Sequence, residues 1–136
     1  FTDGPGFLAE GQFKRHAIAN PKTAPYGSAA RQILEKLELW SAIEPKLVRG
    51  DSIAQTFQFV ATRNAELGFV ASSQAQAWRD KTGAIWAVPD EYHAPIAQAA
   101  VLLKKGKDTP AAITFMEFLK SEEAKAIITD YGYAID

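Results

Sequence analysis

The stretch Ile18–Leu37, IANPKTAPYGSAARQILEKL, decides the fold of this chain. It predicts a buried strand, a proline-containing turn and then an amphipathic helix. Pro25 suits the first helical position, because the N–H that proline lacks would have no intrahelical partner there. Ala24 is then the N-cap, and the backbone N–H groups of Tyr26 and Gly27 are expected to point forward without intrahelical partners. A helix start that follows a strand in this way is suited to binding an anion.

Strand and helix patterns alternate along the rest of the chain. Strands are predicted at Ala17–Asn20, Lys46–Arg49, Leu67–Ala71 and Gly83–Val88, and Ile96–Leu103 is a further apolar run. Helices are predicted from Pro25, over Ser52–Asn64 and Ser72–Trp78, from Pro110 and from Ser121. The uncharged run Leu67–Ala71 fits a strand that is buried on both faces of a parallel sheet. The alternation predicts an α/β fold with a mainly parallel sheet.

Two of the predicted helix starts follow strands and therefore emerge at the same carboxyl edge of the sheet, where open α/β folds bind ligands. They begin near Tyr26 and Ile53, and Ser52 with Gln55 forms a capping box at the second one. Each start offers roughly +0.5 of an elementary charge together with N–H donors. Two starts aimed at one point could hold a small dianion, although two unconnected helix caps fit the spacing equally well.

The composition excludes several classes of function. The chain has 136 residues, 47% of them hydrophobic, a net charge of -1 and no cysteine. This is enough apolar material for the core of about one domain, and it offers no basic surface for nucleic acid. Without cysteine there are no thiolate zinc sites and no cysteine nucleophiles. No serine-hydrolase elbow, metalloprotease helix or phosphate-binding loop motif occurs.

The histidines do not indicate an enzyme. His16 follows two basic residues and is expected on a solvated edge. His93 lies close to Asp90 and Glu91, but one loop offers poor geometry for a metal, which needs ligands from several elements. Ser72 follows a predicted strand, and no motif supplies a base for it. No catalytic or metal-ligating residue is therefore predicted.

Three segments resemble the periplasmic molybdate-binding proteins of ABC importers. They are ANPKTAPYGSAARQILEKLELW, PKLVRGDSIAQTFQFVATRNAELGFVASSQ and FMEFLKSEEAKAIITDYGY. The first two are specific to that family, and the third is shared by many solute-binding proteins. The resemblance implies a type II periplasmic-binding-protein-like fold, a three-layer αβα sandwich with a mainly parallel sheet, whose first lobe is largely missing here. Residues 1–91 then form the second lobe, and residues 92–136 supply a crossover strand and C-terminal helices that return to the first lobe.

The resemblance also implies the ligand and its contacts. The ligand is molybdate or tungstate, no cofactor is implied, and molybdenum enters only within the bound oxyanion. The family's contact positions fall on Tyr26 and Ile53, and a third falls on Ala71, which has no hydroxyl to offer. Secondary contacts are implied around these positions, at Ala24, Gly27, Ser52 and Ala71.

A transport function follows from the same resemblance. The expected partners are a small oxyanion, the membrane permease of an ABC transporter and the missing N-terminal lobe of the same protein, with no nucleic acid, and the expected location is the periplasm. One alternative is a binding protein for another small anion, such as sulfate or an organic anion. Another is the ligand-sensing effector domain of a transcription regulator with the same fold. An enzyme that uses His93 or Ser72 is a third.

Overall fold

A parallel sheet of three short strands forms the centre of the first part of the chain. The computed structural model describes residues 3–81 and 83–135. The strands are β1 (His16–Ala19), β2 (Leu47–Gly50) and β3 (Leu67–Gly68), and their order in the sheet is β2-β1-β3. His16 lies opposite Leu47 on one side and opposite Leu67 on the other. Since both pairings are parallel, all three strands end at the same edge of the sheet.

The helices alternate with these strands and continue after them. The described residues contain seven α-helices: α1 (Gly4–Glu10), α2 (Pro25–Lys36), α3 (Trp40–Ile43), α4 (Ile53–Ala61), α5 (Ser72–Ala77), α6 (Pro110–Phe118) and α7 (Glu122–Asp130). Short 3-10 turns lie at Glu44–Lys46, Arg79–Lys81, Asp90–Tyr92 and Lys104–Gly106. The α/β fold with a parallel sheet is confirmed, and the predicted helices are all present.

The core lies around the buried strand β1 and the apolar side of α2. All four residues of β1 are buried, as are Ala29, Ala30, Ile33 and Leu34 on α2. A buried cluster joins Leu8, Phe13, Leu34 and Ile43. The helical spacing of apolar residues therefore predicted the buried side of α2 correctly, because that side packs against the sheet.

The described chain divides into two compact units between Ile96 and Ala97. The second unit contains α6 and α7 and buries few of its apolar side chains. Val101 is 76% exposed and Phe115 is 58% exposed, whereas Ala124 is buried. None of the helices that the structure describes has the length and apolar content needed to traverse a bilayer.

Two predicted strands of the first unit differ from the structure, and the crossover strand expected within residues 92–136 is not formed among the described residues 92–135. Within the predicted strand Leu67–Ala71 only Leu67 and Gly68 form a strand, and both are half-buried. The Phe69 N–H still donates to the Ala17 carbonyl, at 3.0 Å, and the chain then turns into α5. The predicted strand Gly83–Val88 is irregular. Its Trp86 packs against the core cluster and against Tyr92, with ring centroids 6.1 Å apart, so that side-chain contacts hold this segment instead of a ladder.

His16 lies in the core and not on a solvated edge, so that prediction was wrong. The strand begins at His16 itself, and the ring is 1% exposed between Phe13 and Phe69, with centroids 5.7 and 5.0 Å away. Neither ring nitrogen has a hydrogen-bond partner among the residues described. Burial disfavours the charged ring and lowers the pKa of His16 from 6.5 to about 4.

Candidate functional site

The helices α2 and α4 begin from adjacent strands at the carboxyl edge of the sheet. The Asn20 N–H donates to the Gly50 carbonyl at 2.8 Å, which links the turn after β1 to the end of β2. The Asn20 carbonyl accepts from the N–H of Ala24 at 2.9 Å, and its side-chain oxygen accepts from the N–H of Lys22 at 3.1 Å. These bonds hold the turn before α2 against the strand that leads into α4.

The start of α2 has the predicted cap, with one difference. Ala24 is the N-cap in an extended conformation, and Pro25 is the first helical residue. Tyr26 follows it and is half-buried. The Gly27 N–H donates to the Ala24 carbonyl at 2.9 Å. The sequence predicted that this N–H would have no intrahelical partner, and that prediction was wrong. The bond forms because the first turn of α2 is tight, with an i to i+3 hydrogen bond.

Gly27 is also the point at which α2 touches the sheet. The residue is buried, and a Cβ atom there would overlap the backbone of Ala19 and Asn20. Glycine is therefore required, because any side chain would push the start of α2 away from the end of β1. Gly27 thus positions the helix start that carries Tyr26.

The start of α4 is capped from two sides. Ser52 is the N-cap, with φ -142° and ψ 164°, and its Oγ accepts from the Gln55 N–H at 3.2 Å. The Gln55 side chain reaches back to the Asp51 N–H, at 2.6 Å, one residue before the position that a regular capping box uses. Ser52 and Asp51 are exposed, and Ile53 is half-buried at the first helical position. The capping function predicted for Ser52 is confirmed.

Thr56 anchors the start of α4 on β2, a contact that the sequence interpretation missed. Its side chain is fully buried, and its Oγ1 donates to the Ser52 carbonyl at 2.9 Å. A Cβ atom on Gly50 would lie 2.7 Å from that Oγ1 and 2.8 Å from the Thr56 nitrogen. Ile53 and Phe57 lie four positions apart on one side of α4, and both are half-buried. The sequence could have indicated that Thr56 is buried, because a Thr hydroxyl can donate to the carbonyl four residues earlier and so needs no other hydrogen-bond partner.

Gln74 brings Ala71 to the first turn of α4. Ala71 is the buried N-cap of α5, and its N–H donates to the Gln74 Oε1 at 3.1 Å. The Nε2 of the same side chain donates to the Ile53 carbonyl at 3.4 Å. The sequence interpretation placed Ala71 near the site but did not identify Gln74. Its position three residues after the N-cap is the one that a capping box uses.

The loop that contains His93 is attached to the opposite end of α2. The Ala94 N–H donates to the Gln32 Oε1 at 2.8 Å, and Lys36 donates to the Glu91 carbonyl. The His93 Nδ1 lies 2.8 Å from the Ala94 carbonyl oxygen. Across residues 3–81 and 83–135, no group of three or more His, Asp or Glu side chains is placed to hold a metal ion.

Comparisons with known proteins agree on one family. The family model for bacterial extracellular solute-binding proteins matches residues 3–134. The chain is 52% identical over 137 residues to the molybdate-binding protein ModA of Azotobacter vinelandii and 45% identical over 135 residues to that of Rhodobacter capsulatus. These alignments cover 99% of this chain but 54% and 53% of the relatives. The chain therefore spans about half the length of the curated relatives it matches.

A solved structure shares the fold. The periplasmic molybdate-binding protein of Azotobacter vinelandii superimposes with a TM-score of 0.86 and 36% sequence identity. The match covers 95% of this chain and 57% of that chain. The periplasmic-binding-protein-like fold that the resemblance implied is thereby confirmed.

Proposed function

This chain belongs to the family of bacterial extracellular solute-binding proteins, and from that premise we propose that it is one lobe of the component that captures molybdate or tungstate for an ABC importer. One observation carries the proposal: α2 and α4 begin at the same edge of the sheet, from adjacent strands linked by the bond from Asn20 to Gly50. The names of the relatives at 52% and 45% identity support molybdate as the ligand.

The proposed contacts are backbone N–H groups, which are neutral donors. Helix starts attract anions because their N–H dipoles align, and each contributes about half an elementary charge. Molybdate is fully deprotonated at neutral pH and can accept at every oxygen. Hydrogen phosphate carries a proton that needs an acceptor, and a site lined only with donors would leave it unpaired at a cost of about 1–3 kcal/mol. The proposed site therefore selects against hydrogen phosphate without using a charged side chain.

Two positions are proposed as the main donors to the anion. Tyr26 and Ile53 lie within the first two positions of α2 and α4, the part of a helix at which anions bind. Ser52 accepts from Gln55 through its oxygen, and its hydroxyl proton remains able to donate to the anion. Gly27 and Ala71 are secondary at most, since their N–H groups already donate to Ala24 and to Gln74. Ala24 serves as the N-cap of α2.

The proposal includes the rest of a longer protein. We expect an N-terminal lobe to supply further donors from the other side of the anion and a membrane permease to receive the loaded protein in the periplasm. The exposed apolar side chains of the second unit, among them Val101, Leu103 and Phe115, fit the proposal that residues 92–136 pack against that lobe. Burial of such side chains is favourable by about 25 cal/mol per Å² of apolar surface.

Calorimetric titration of the full-length protein tests this function. Molybdate and tungstate are expected to bind and to displace each other, and phosphate is expected not to compete. Sulfate is expected to compete poorly because it is smaller than molybdate. If sulfate or a small organic anion bound more tightly than molybdate, the site would belong to another kind of anion-binding protein. Failure of folded protein to bind any of these anions would contradict the proposal.

A further inference from the structure

We propose that Gln74 is a positioning residue of the anion site, which sets the direction of the first turn of α4 from the start of α5. This inference rests on the proposed function, because it concerns the helix start that carries Ile53. Gln74 bonds to the backbone of two helix starts, those of α5 and α4, and its proposed role needs no contact with the anion.

The carboxamide of Gln74 uses both of its polar atoms to join two segments. Its Oε1 accepts from the Ala71 N–H at 3.1 Å, and its Nε2 donates to the Ile53 carbonyl at 3.4 Å. The second bond spans 21 positions in sequence, and the side chain is partly buried. An amide with both ends bound has one defined orientation, so the bridge holds α5 and the first turn of α4 at a set separation.

The bridge acts on the proposed donors through the backbone. The other side of the first turn of α4 is held by Thr56, whose N–H and hydroxyl both donate to the Ser52 carbonyl, at 3.0 and 2.9 Å. Gln74 supplies the contact on the Ile53 carbonyl, so the peptides on both sides of Ile53 are held. A donor on that carbonyl also polarises the peptide that carries the Ala54 N–H, because hydrogen bonds in a chain strengthen one another.

The bond to Gln74 also determines whether the Ala71 N–H can donate to an anion. With its N–H bound to Gln74, Ala71 does not present that donor to an anion, and alanine has no hydroxyl. The third helix start at this edge therefore supports α4, and its N-cap N–H is not a donor to the anion. The polar group near Ala71 that we propose to position the site is the Gln74 carboxamide.

A comparison of variants in the full-length protein tests the role of Gln74. Gln74→Met keeps the length of the side chain and removes both hydrogen bonds. We expect the Kd for molybdate to rise about fivefold to tenfold, less than the loss of a whole hydrogen bond to a charged group, because the donors at the start of α4 are misdirected but not removed. Gln76→Gly is the matched control: it weakens α5 and removes the bond from Gln76 to the Ser72 Oγ, but it leaves the bridge in place. It is expected to change the Kd less than twofold.

The second readout is the backbone amide resonance of Ile53 in the ligand-free protein. Gln74→Met is expected to shift this resonance, and Gln76→Gly is expected to leave it unchanged. If Gln74 only capped α5, neither variant would shift the Ile53 resonance. If Gln74→Met fails to fold, Gln74→Glu keeps the acceptor for Ala71, loses the donor to Ile53, and is scored by the same resonance. Normal molybdate affinity and an unmoved Ile53 resonance in the Gln74 variant would overturn the inference while leaving the proposed function intact. A wild-type protein that binds no molybdate would overturn both.

Discussion

Replacement of Ile53 by proline would remove one proposed donor from the anion site and leave the helix that carries it intact. Ile53 is the first residue of α4, and proline is well tolerated there because no intrahelical bond uses that N–H. The first bonds of the helix come from Gln55 to the Ser52 Oγ and from Thr56 to the Ser52 carbonyl, and neither involves the Ile53 nitrogen. Ser52 has φ -142° and ψ 164°, the extended conformation that a residue before proline prefers.

The expected loss follows from the kind of bond that is removed. A hydrogen bond to a charged group contributes about 1.5–3 kcal/mol, which corresponds to roughly a 10- to 150-fold rise in Kd. The carbonyl of residue 53 remains, so the bond from Gln74 can still form. Calorimetric titration of the full-length protein with molybdate measures the change.

Two controls separate the lost donor from other effects of the substitution. Ile53→Val trims the half-buried side chain but keeps the N–H, and is expected to change the Kd less than about threefold, because every hydrogen-bond donor of the helix start remains. Glu122→Pro makes the same backbone change at the first position of α7, where Ser121 is also extended, and is expected to leave molybdate binding unchanged. A folded Ile53→Pro protein with wild-type affinity would refute the assignment of that N–H to the anion.

Three further predictions concern stability and are measured by urea unfolding followed through tryptophan fluorescence. Gly27→Ala is expected to lower the free energy of unfolding by about 1–3 kcal/mol, because its methyl group would overlap the backbone of Ala19. Ser52→Ala is expected to cost about 1 kcal/mol, because Gln55 loses its N-cap acceptor. The contribution of His16 is expected to lower the free energy of unfolding by about 2.5 kcal/mol as the pH drops from 6.5 to 4, because the unfolded chain protonates this histidine throughout that window and the folded chain begins to do so only near pH 4.

Each of these predictions has an outcome that contradicts it. Equal free energies of unfolding for Gly27→Ala and wild type would mean that α2 can move off the sheet without cost. Unchanged stability in Ser52→Ala would mean that another group caps Gln55. A His16→Leu protein should lose the part of the pH dependence between 6.5 and 4 that His16 causes, and an identical pH profile in both proteins would exclude His16 as its source.

Local patterns predicted much of this protein because they depend on neighbouring residues. Pro25 after Ala24 defined the start of α2, and Ser52 before Gln55 defined the start of α4, because both caps are made within one turn of helix. The apolar spacing after Tyr26 predicted the side of α2 that packs on the sheet. The similarity of long segments to one family predicted an oxyanion as the ligand. The names of two relatives, both molybdate-binding proteins, support that prediction.

Features that depend on distant segments were not predictable in the same way. His16 follows two exposed basic residues, and only its pairing with Leu47 and Leu67, between two aromatic rings, places it in the core. Gly83–Val88 has the weak alternation of a strand, yet a strand needs a neighbour with which to share hydrogen bonds, and that segment is held by its side chains instead.

The sequence by itself determined where α2 and α4 begin and that each follows a strand, because caps and apolar periodicity are local properties. The structure then showed which N–H groups at these starts already donate within their own turn, because the residue pattern does not distinguish a tight first turn from a regular one. Only the tertiary structure decided which distant side chain supports α4, since that bond depends on how closely α5 approaches it. The tight first turn of α2 takes the Gly27 N–H, and a glutamine three residues beyond Ala71 takes the N–H of Ala71. That same glutamine reaches the first residue of α4 from 21 positions away, a contact that exists only because the parallel strands bring the helix starts to one edge of the sheet.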